Sequence, residues 1–301
     1  MPDIRRILCP VDFSGASQLA LDHAIALAGW YRSHVTVLYV SHPANVLEPG
    51  ILVTTLPGTS LPADAGREQL EPLLRRWLEP AGAKGVGCDT LFEEHHNVAA
   101  CILERAASLQ ADLIVLGTHG RGGFDRLLLG SVTEKVLRKA AVPVLTVPPP
   151  ASGTSKLPFN QLLCPVDFSE SSLAALRFAL SIAKESGARL TLLHVFEWPE
   201  ADDLLPEPGV DLAEYRNRID AATVKRLHDL LSSDDRTWCQ PVTKVSYGKP
   251  YREILTTATA EHADLIVIGV HGRNVLDLAL FGSTTNQVVR RASSPVLTLK
   301  R

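Results

Sequence analysis

Short apolar runs alternate with amphipathic stretches along the chain, and the whole series occurs twice. Ile7-Leu-Cys-Pro-Val-Asp-Phe-Ser14 returns as Leu162-Leu-Cys-Pro-Val-Asp-Phe-Ser169, at an offset of 155 residues. Behind each run, apolar residues fall at i, i+4, i+7 and i+8: Ala20, Ala24, Leu27 and Ala28, then Ala175, Ala179, Ile182 and Ala183. That spacing lines one face of a helix. Ser14 and Ser169 stand where each helix needs an N-cap. Runs rich in β-formers follow at Val35–Val40 and Leu190–Val195. At Pro143–Val147 and Pro295–Leu299 the offset is 152, so the second copy has lost a net three residues in its middle. Each half reads strand-helix-strand-loop-helix-strand-helix-strand-helix-strand. This alternation predicts an α/β fold of two repeated doubly wound domains, each a five-stranded parallel sheet with helices on both faces.

The stretch Pro148-Pro-Pro-Ala-Ser-Gly-Thr-Ser-Lys156 is stiff, then flexible, and suits a domain boundary. The expected division is a first domain at 1–148, a linker at 149–157 and a second domain at 158–301. The middle loops differ most: Pro43–Pro62 is apolar and rich in Pro and Gly, whereas Glu197–Gly209 is acidic. A lid over a ligand and a plain surface crossover both fit them. Helices are expected after them, near Asp64–Leu78 and Asp211–Leu231. Pro72 predicts a kink or a late start in the first of these.

Composition narrows the class. With 46% hydrophobic and 21% charged residues, the 301-residue chain reads as globular, with enough length for two cores. A net charge of -3 gives no electrostatic case for nucleic acid or an anionic membrane. The five Cys form no CxxC pair, and Cys9 and Cys164 sit at matching places in apolar strands, as small buried residues of a reducing compartment would. No apolar run approaches the roughly 18 residues that span a bilayer. The first apolar run, ending at Asp12, is too short for a signal peptide. A cytoplasmic location is the expectation.

A glycine pattern also recurs: Gly117-Thr-His-Gly120, nine residues, Gly130-Ser131, and then Gly269-Val-His-Gly272, nine residues, Gly282-Ser283. Each copy follows an apolar run, Leu113–Leu116 or Leu265–Ile268, and precedes an amphipathic segment. Strand, glycine-rich loop and helix N-terminus in that order can hold phosphate. In a sheet ordered 3-2-1-4-5, ligands bind between strands one and four, where the winding reverses. Asp12 and Asp167 end strand one, and Gly117 and Gly269 end strand four, so carboxylate and glycine loop would face each other. An aspartate there can accept from ribose hydroxyls or an adenine amine, or stand near a metal. An Asx-turn or helix cap accounts for it equally well. The glycines would permit positive φ and close approach of N–H groups to phosphate. Ser131 and Ser283 add hydroxyl donors at the helix starts, and Arg121 and Arg273 can add charged hydrogen bonds. Neither a Walker A loop nor the dinucleotide fingerprint occurs.

Through these motifs both halves resemble the universal stress protein domain. The chain is similar to tandem members of that family over nearly all residues outside the linker and middle loops. The resemblance implies the strand order 3-2-1-4-5. The G-x-x-G-x9-G-[ST] signature marks the family's ATP-binding members, so ATP, with or without Mg²⁺, is the implied ligand. The resemblance sets Asp12 and Val40 beside the adenosine, with Leu116, Gly117, Gly120, Gly130, Ser131 and Val132 along the nucleotide. Asp167, Val195, Ile268, Gly269, Gly272, Gly282, Ser283 and Thr284 are the counterparts. It further implies pairing of the last strands, Val144–Val147 with Val296–Leu299, as an internal pseudo-dimer, leaving a homodimer open, and a role in stress resistance or growth arrest.

The copies depart from the family pattern in different places. The Gly-x-Pro that usually precedes the third helix is present as Gly248-Lys249-Pro250, but the first half has His96-Asn97-Val98 there. A histidine at that place would crowd the first site, so the second is expected to bind ATP at least as well. His95 and His96, with Cys88 or Cys101 nearby, lack the i, i+4 spacing of a metal site, and no metal is assigned. His119 and His271 are read as shaping the glycine loops. No nucleophile–base–orienter set is visible. Three readings stand: a nucleotide-dependent regulatory or protective protein, a slow Mg-dependent ATPase, and a nucleotide-free dimerisation scaffold.

Overall fold

The computed structural model describes residues 4–41, 63–118, 129–149, 159–197, 212–239, 241–270 and 281–300. The first apolar run forms β1 (Arg6–Val11), and the stripe behind it forms α1 (Gly15–Tyr31). Then come β2 (His34–Ser41), α2 (Ala63–Ala83), β3 (Cys88–Glu94), α3 (Val98–Ser108), β4 (Leu113–Gly117), α4 (Ser131–Lys139) and β5 (Val144–Val147). The second half repeats the series as β6 (Gln161–Pro165), α5 (Glu170–Ser186), β7 (Arg189–Phe196), α6 (Leu212–Asp229), α7 (Ser233–Cys239), β8 (Val242–Tyr247), α8 (Pro250–Ala260), β9 (Leu265–Gly269), α9 (Ser283–Arg291) and β10 (Val296–Leu299).

The strands form one ten-stranded sheet in the order β3-β2-β1-β4-β5-β10-β9-β6-β7-β8. Neighbours run parallel except β5 and β10, which pair antiparallel through Thr146↔Val296, Leu145↔Leu297 and Val144↔Thr298. Two buried hydroxyls stitch this seam: Thr146 Oγ1 donates to the Val296 carbonyl at 3.1 Å, and Thr298 Oγ1 donates to the Val144 carbonyl at 3.2 Å.

Alternation along each strand sends side chains to two cores. Ile7, Cys9 and Val11 enter the core beneath α1, α2 and α5, while Leu8 enters the core beneath α3, α4, α8 and α9. Each core contains residues of both halves. The helical stripes Ala20, Ala24, Leu27, Ala28 and Ala175, Ala179, Ile182, Ala183 are all buried. Cys9 and Cys164 are buried too, and burial pushes both thiols far above their usual range, so they are inert.

Two helices differ from the sequence expectation. The helix α2 does not start late: it runs from Ala63 and continues past both Pro72 and Pro80 to Ala83. Both prolines are exposed, so a carbonyl that loses its helical donor near them can be hydrated, while Leu74 and Ala81 hold the opposite face in the core. The helix α7 has no counterpart among the described residues of the first half. Its seed is a capping box: Ser232 Oγ accepts from the Asp235 N–H at 3.1 Å, and Asp235 Oδ2 accepts from the Ser232 N–H at 2.9 Å.

Inside α1, His23 is buried, with its Nδ1 2.9 Å from the Leu19 carbonyl. A carbonyl only accepts, so Nδ1 carries the proton and Nε2, buried without a partner among the described residues, is an unprotonated acceptor. Burial lowers the His23 pKa. The unfolded chain therefore takes up this proton at a higher pH than the folded one. Stability contributed by the neutral imidazole is full above the unfolded pKa, near 6.5, and is lost as pH falls toward the folded value. Urea unfolding midpoints should fall from pH 7.5 to pH 5.5, and His23→Gln should flatten that dependence. An unchanged slope in the variant would remove His23 from the account.

Candidate functional site

The two turns that end β1 and β6 are built alike. Asp12 Oδ1 accepts from the Ser14 N–H at 3.0 Å and from Ser14 Oγ at 2.5 Å, and Ser14 Oγ accepts from the Ser17 N–H at 3.2 Å. Asp167, Ser169 and Ser172 repeat this at 3.0, 2.5 and 3.3 Å. Ser14 and Ser169 are the N-caps of α1 and α5. One oxygen of each aspartate thus serves an Asx-turn, the local role the sequence left open. The turn forces the intervening Phe13 and Phe168 to φ of 59° and 63°, in the left-handed region. A bulky residue there costs about 1–3 kcal/mol, and such strain clusters at functional sites. Sequence reasoning missed these phenylalanines; the Asp-x-Ser spacing was the available signal.

The glycines ending β4 and β9 have a different reason from the one expected. Among the described glycines, positive φ occurs at Gly85, Gly187 and Gly248, and Gly130 and Gly282 have φ of -59° and -55°. Gly117 and Gly269 are small because a helix start lies on them. A Cβ on Gly117 would stand 2.9 Å from the Ala16 carbonyl carbon, and one on Gly269 would stand 2.6 Å from Ser171 Oγ. The glycine loops are closed at their base by Gly130 N–H to Thr118 O at 2.9 Å and Gly282 N–H to Val270 O at 3.0 Å. Thr133 and Thr285 donate to the Gly117 and Gly269 carbonyls, which ties each following helix to the strand end. Gly120, Arg121, Gly272 and Arg273, with His119 and His271, lie outside the described residues.

In the second half these elements enclose a cavity of about 440 Å³. Asp167, Val195, Ile268, Gly269, Gly282, Ser283 and Thr284 all line it, with His194, Phe196, Glu197 and Pro250. The first residues of α9 contribute a helix start with no side-chain cap, so its orphan N–H groups and positive dipole end face the cavity region. His194 is buried, and its Nδ1 lies 2.6 Å from the Val166 carbonyl, which fixes that nitrogen as the donor. Gly248 is not part of the lining. It turns the chain from β8 into α8 at φ 142°, donates to the Phe196 carbonyl at 2.9 Å, and delivers Pro250 to the cavity wall as the first residue of α8. Gly248→Ala should cost roughly 1–2 kcal/mol through this backbone strain, read from the urea midpoint. No loss would mean the turn relaxes freely.

In the first half Asp12, Leu116, Gly117, Gly130, Ser131, Val132 and Val40 occupy the matching ends of β1, β4, α4 and β2. Two features differ. Asn97 caps α3 by accepting from the Ala100 N–H at 3.1 Å, with His96 just before it. Glu134 sits in the first turn of α4, whereas α9 has no acidic residue in its first turn and carries Asn286 at the equivalent place. His95 Nδ1 accepts from the Asn97 N–H at 2.9 Å.

A crevice at the carboxyl ends of central parallel strands, beside an uncapped helix start, defines the class: a doubly wound α/β protein with a cavity at its topological switch point. The profile of the universal stress protein family matches residues 3–148 and again 158–300, and the chain belongs to that family. A universal stress protein of Mycolicibacterium smegmatis is 28% identical over 298 residues, covering 98% of this chain and 96% of that one. One of Mycobacterium tuberculosis is 30% identical over 198 residues, which span 64% of this chain and 63% of the relative. The crystal structure of a universal stress protein from Archaeoglobus fulgidus shares the fold, with a TM-score of 0.69, 23% identity and 98% of each chain covered. Among the described residues no helix is long and apolar enough to cross a membrane.

Proposed function

We propose that this is an ATP-binding tandem universal stress protein, a nucleotide-dependent regulatory or protective component of a stress response. The observation that carries the reading is the second-half cavity. It gathers seven residues that the family resemblance names, from four elements, into a volume within the roughly 300–1,000 Å³ of small-molecule sites. The donor set suits a nucleotide at both ends. The start of α9, with Ser283 and Thr284, offers N–H groups to phosphate. Asp167, Glu197 and the Val195 backbone offer acceptors to ribose and base. Mg²⁺ with the triphosphate belongs to this reading, and Asp167 and Glu197 are the carboxylates of the lining.

The second site is the stronger of the two in this reading. Asn286 in the first turn of α9 leaves the field at the phosphate end positive, whereas Glu134 in α4 opposes an anion. The nucleotide-dependent state is read out by the glycine loops and a partner surface. The antiparallel β5–β10 seam supports the two halves acting as an internal pseudo-dimer, to which a homodimer adds nothing required for the cavity. Five free cysteines suit a cytoplasmic setting.

The test is mass spectrometry of small molecules released from protein purified under native conditions, with thermal shift on adding ATP. Adenine nucleotide in the released fraction and a rise in the unfolding midpoint are expected. Absence of both would favour the nucleotide-free scaffold.

A further inference from the structure

The strained turn at the end of β6 is gripped by a residue of α6. The Arg226 guanidinium lies 3.8 Å from the centroid of the Phe168 ring. Phe168 is the residue at φ 63° inside the Asp167–Ser169 turn, and Asp167 beside it lines the cavity. The Phe168 ring also meets His194 at 5.1 Å, and the row of rings continues to Phe196 at 4.7 Å and Tyr247 at 5.4 Å. The far end is held by α6 as well: Arg216 lies 3.9 Å from the Tyr247 ring centroid, and Asp220 accepts from the Tyr247 hydroxyl. Leu227, next to Arg226, is fully buried and anchors that part of α6 to the sheet.

A left-handed phenylalanine persists only where its surroundings over-determine it. The Asp167–Ser169 hydrogen bonds are one constraint. The ring contacts are a second, because a turn that relaxed to ordinary φ would carry the ring off Arg226 and lose the cation–π attraction. The first half covers its equivalent residue differently: Trp77 of α2 lies 5.2 Å from Phe13, so a neutral ring stands where α6 supplies a cation.

We propose that Arg226 is a positioning residue of the second cavity: by capping Phe168 it holds the turn in the conformation that presents Asp167 to the ligand. The proposal rests on the reading of the cavity as a nucleotide site. Arg226 is exposed, so its replacement leaves the core intact, and urea midpoints of the variants check this. In calorimetric titration of the full chain, Arg226→Leu should weaken ATP roughly two- to fivefold. Inorganic tripolyphosphate, which has no ribose or base for Asp167 to meet, should bind Arg226→Leu as it binds wild type. Arg226→Lys, which keeps a cation over the ring, should restore most of the ATP affinity. In an Asp167→Ala background, Arg226→Leu should have no further effect. Wild-type chain that binds no ATP would sink the nucleotide reading and this proposal with it. Wild type and Arg226→Leu binding ATP equally would overturn the positioning role alone. Equal weakening of ATP and tripolyphosphate would also overturn it, because Arg226 would then act as a charge on the phosphates. So would the same loss in the Asp167→Ala background, since Arg226 would then act through another group.

Discussion

A carboxylate at Ser283 is expected to keep the fold and destroy nucleotide binding in the second half. Ser283 is the exposed first residue of α9, and no side chain caps that helix. A negative charge in the first turn favours the helix by about 0.3–1 kcal/mol through the dipole, so Ser283→Glu should unfold at the same urea concentration as wild type or slightly above it. The same charge faces the triphosphate of ATP. Like charges brought together at a binding surface cost several kcal/mol, so ATP affinity should fall by about 100-fold or more. Folding and binding therefore move in opposite directions, which a merely damaged protein cannot imitate. Asn286→Glu, which gives α9 the acidic residue that α4 already has, should act the same way more weakly. Ser131→Glu should change ATP binding little. If Ser131→Glu alone lost binding, the first half would be the site and the assignment would be reversed.

The second large effect concerns stability. Gly269→Ala should lower the urea midpoint by the equivalent of about 1–3 kcal/mol. The new Cβ would lie 2.6 Å from Ser171 Oγ, 2.7 Å from the Ser171 carbonyl carbon and 2.8 Å from the Ser172 nitrogen. Two of these are backbone atoms in the first turn of α5, so the helix start itself has to shift. Replacing glycine also removes freedom from the unfolded chain, worth roughly 0.4–1 kcal/mol in the opposite sense, and the overlap outweighs it. Because Ser171 and Ser172 follow the Asp167–Ser169 turn directly, the shift should also disturb the cavity. Gly117→Ala should be somewhat milder, since its nearest neighbours stand at 2.9 Å. An unchanged midpoint for Gly269→Ala would show that α5 moves at no cost.

These outcomes also mark how far the sequence alone reaches. The α/β alternation and the buried stripes of α1 and α5 were legible, because a helical face leaves a period that survives in one dimension. The meeting of Asp167 with Gly269 and Ser283 was legible as well, because a doubly wound sheet brings the ends of its central strands together whatever the intervening length. The reason for Gly117 and Gly269 was not, since it lies in the approach of a helix start more than ninety residues away in sequence. Nothing in the sequence at their own positions marks Phe13 and Phe168, and only the backbone shows the left-handed strain that the Asp–Ser hydrogen bonds impose. The helix α7 had a local signal, Ser232 followed by Asp235, which the longer amphipathic pattern around it obscured. Glu134 against Asn286 was open to view, but its meaning depends on knowing that both stand in the first turn of their helices.

The central claim is that the second-half cavity holds the nucleotide. Photolabelling of the full chain with 8-azido-ATP, followed by peptide mapping, tests it most directly. The account predicts label on the peptide containing Val195, Phe196 and Glu197, competed away by unmodified ATP and absent from Ser283→Glu. Label confined to the first half, or label that unmodified ATP does not displace, would contradict it.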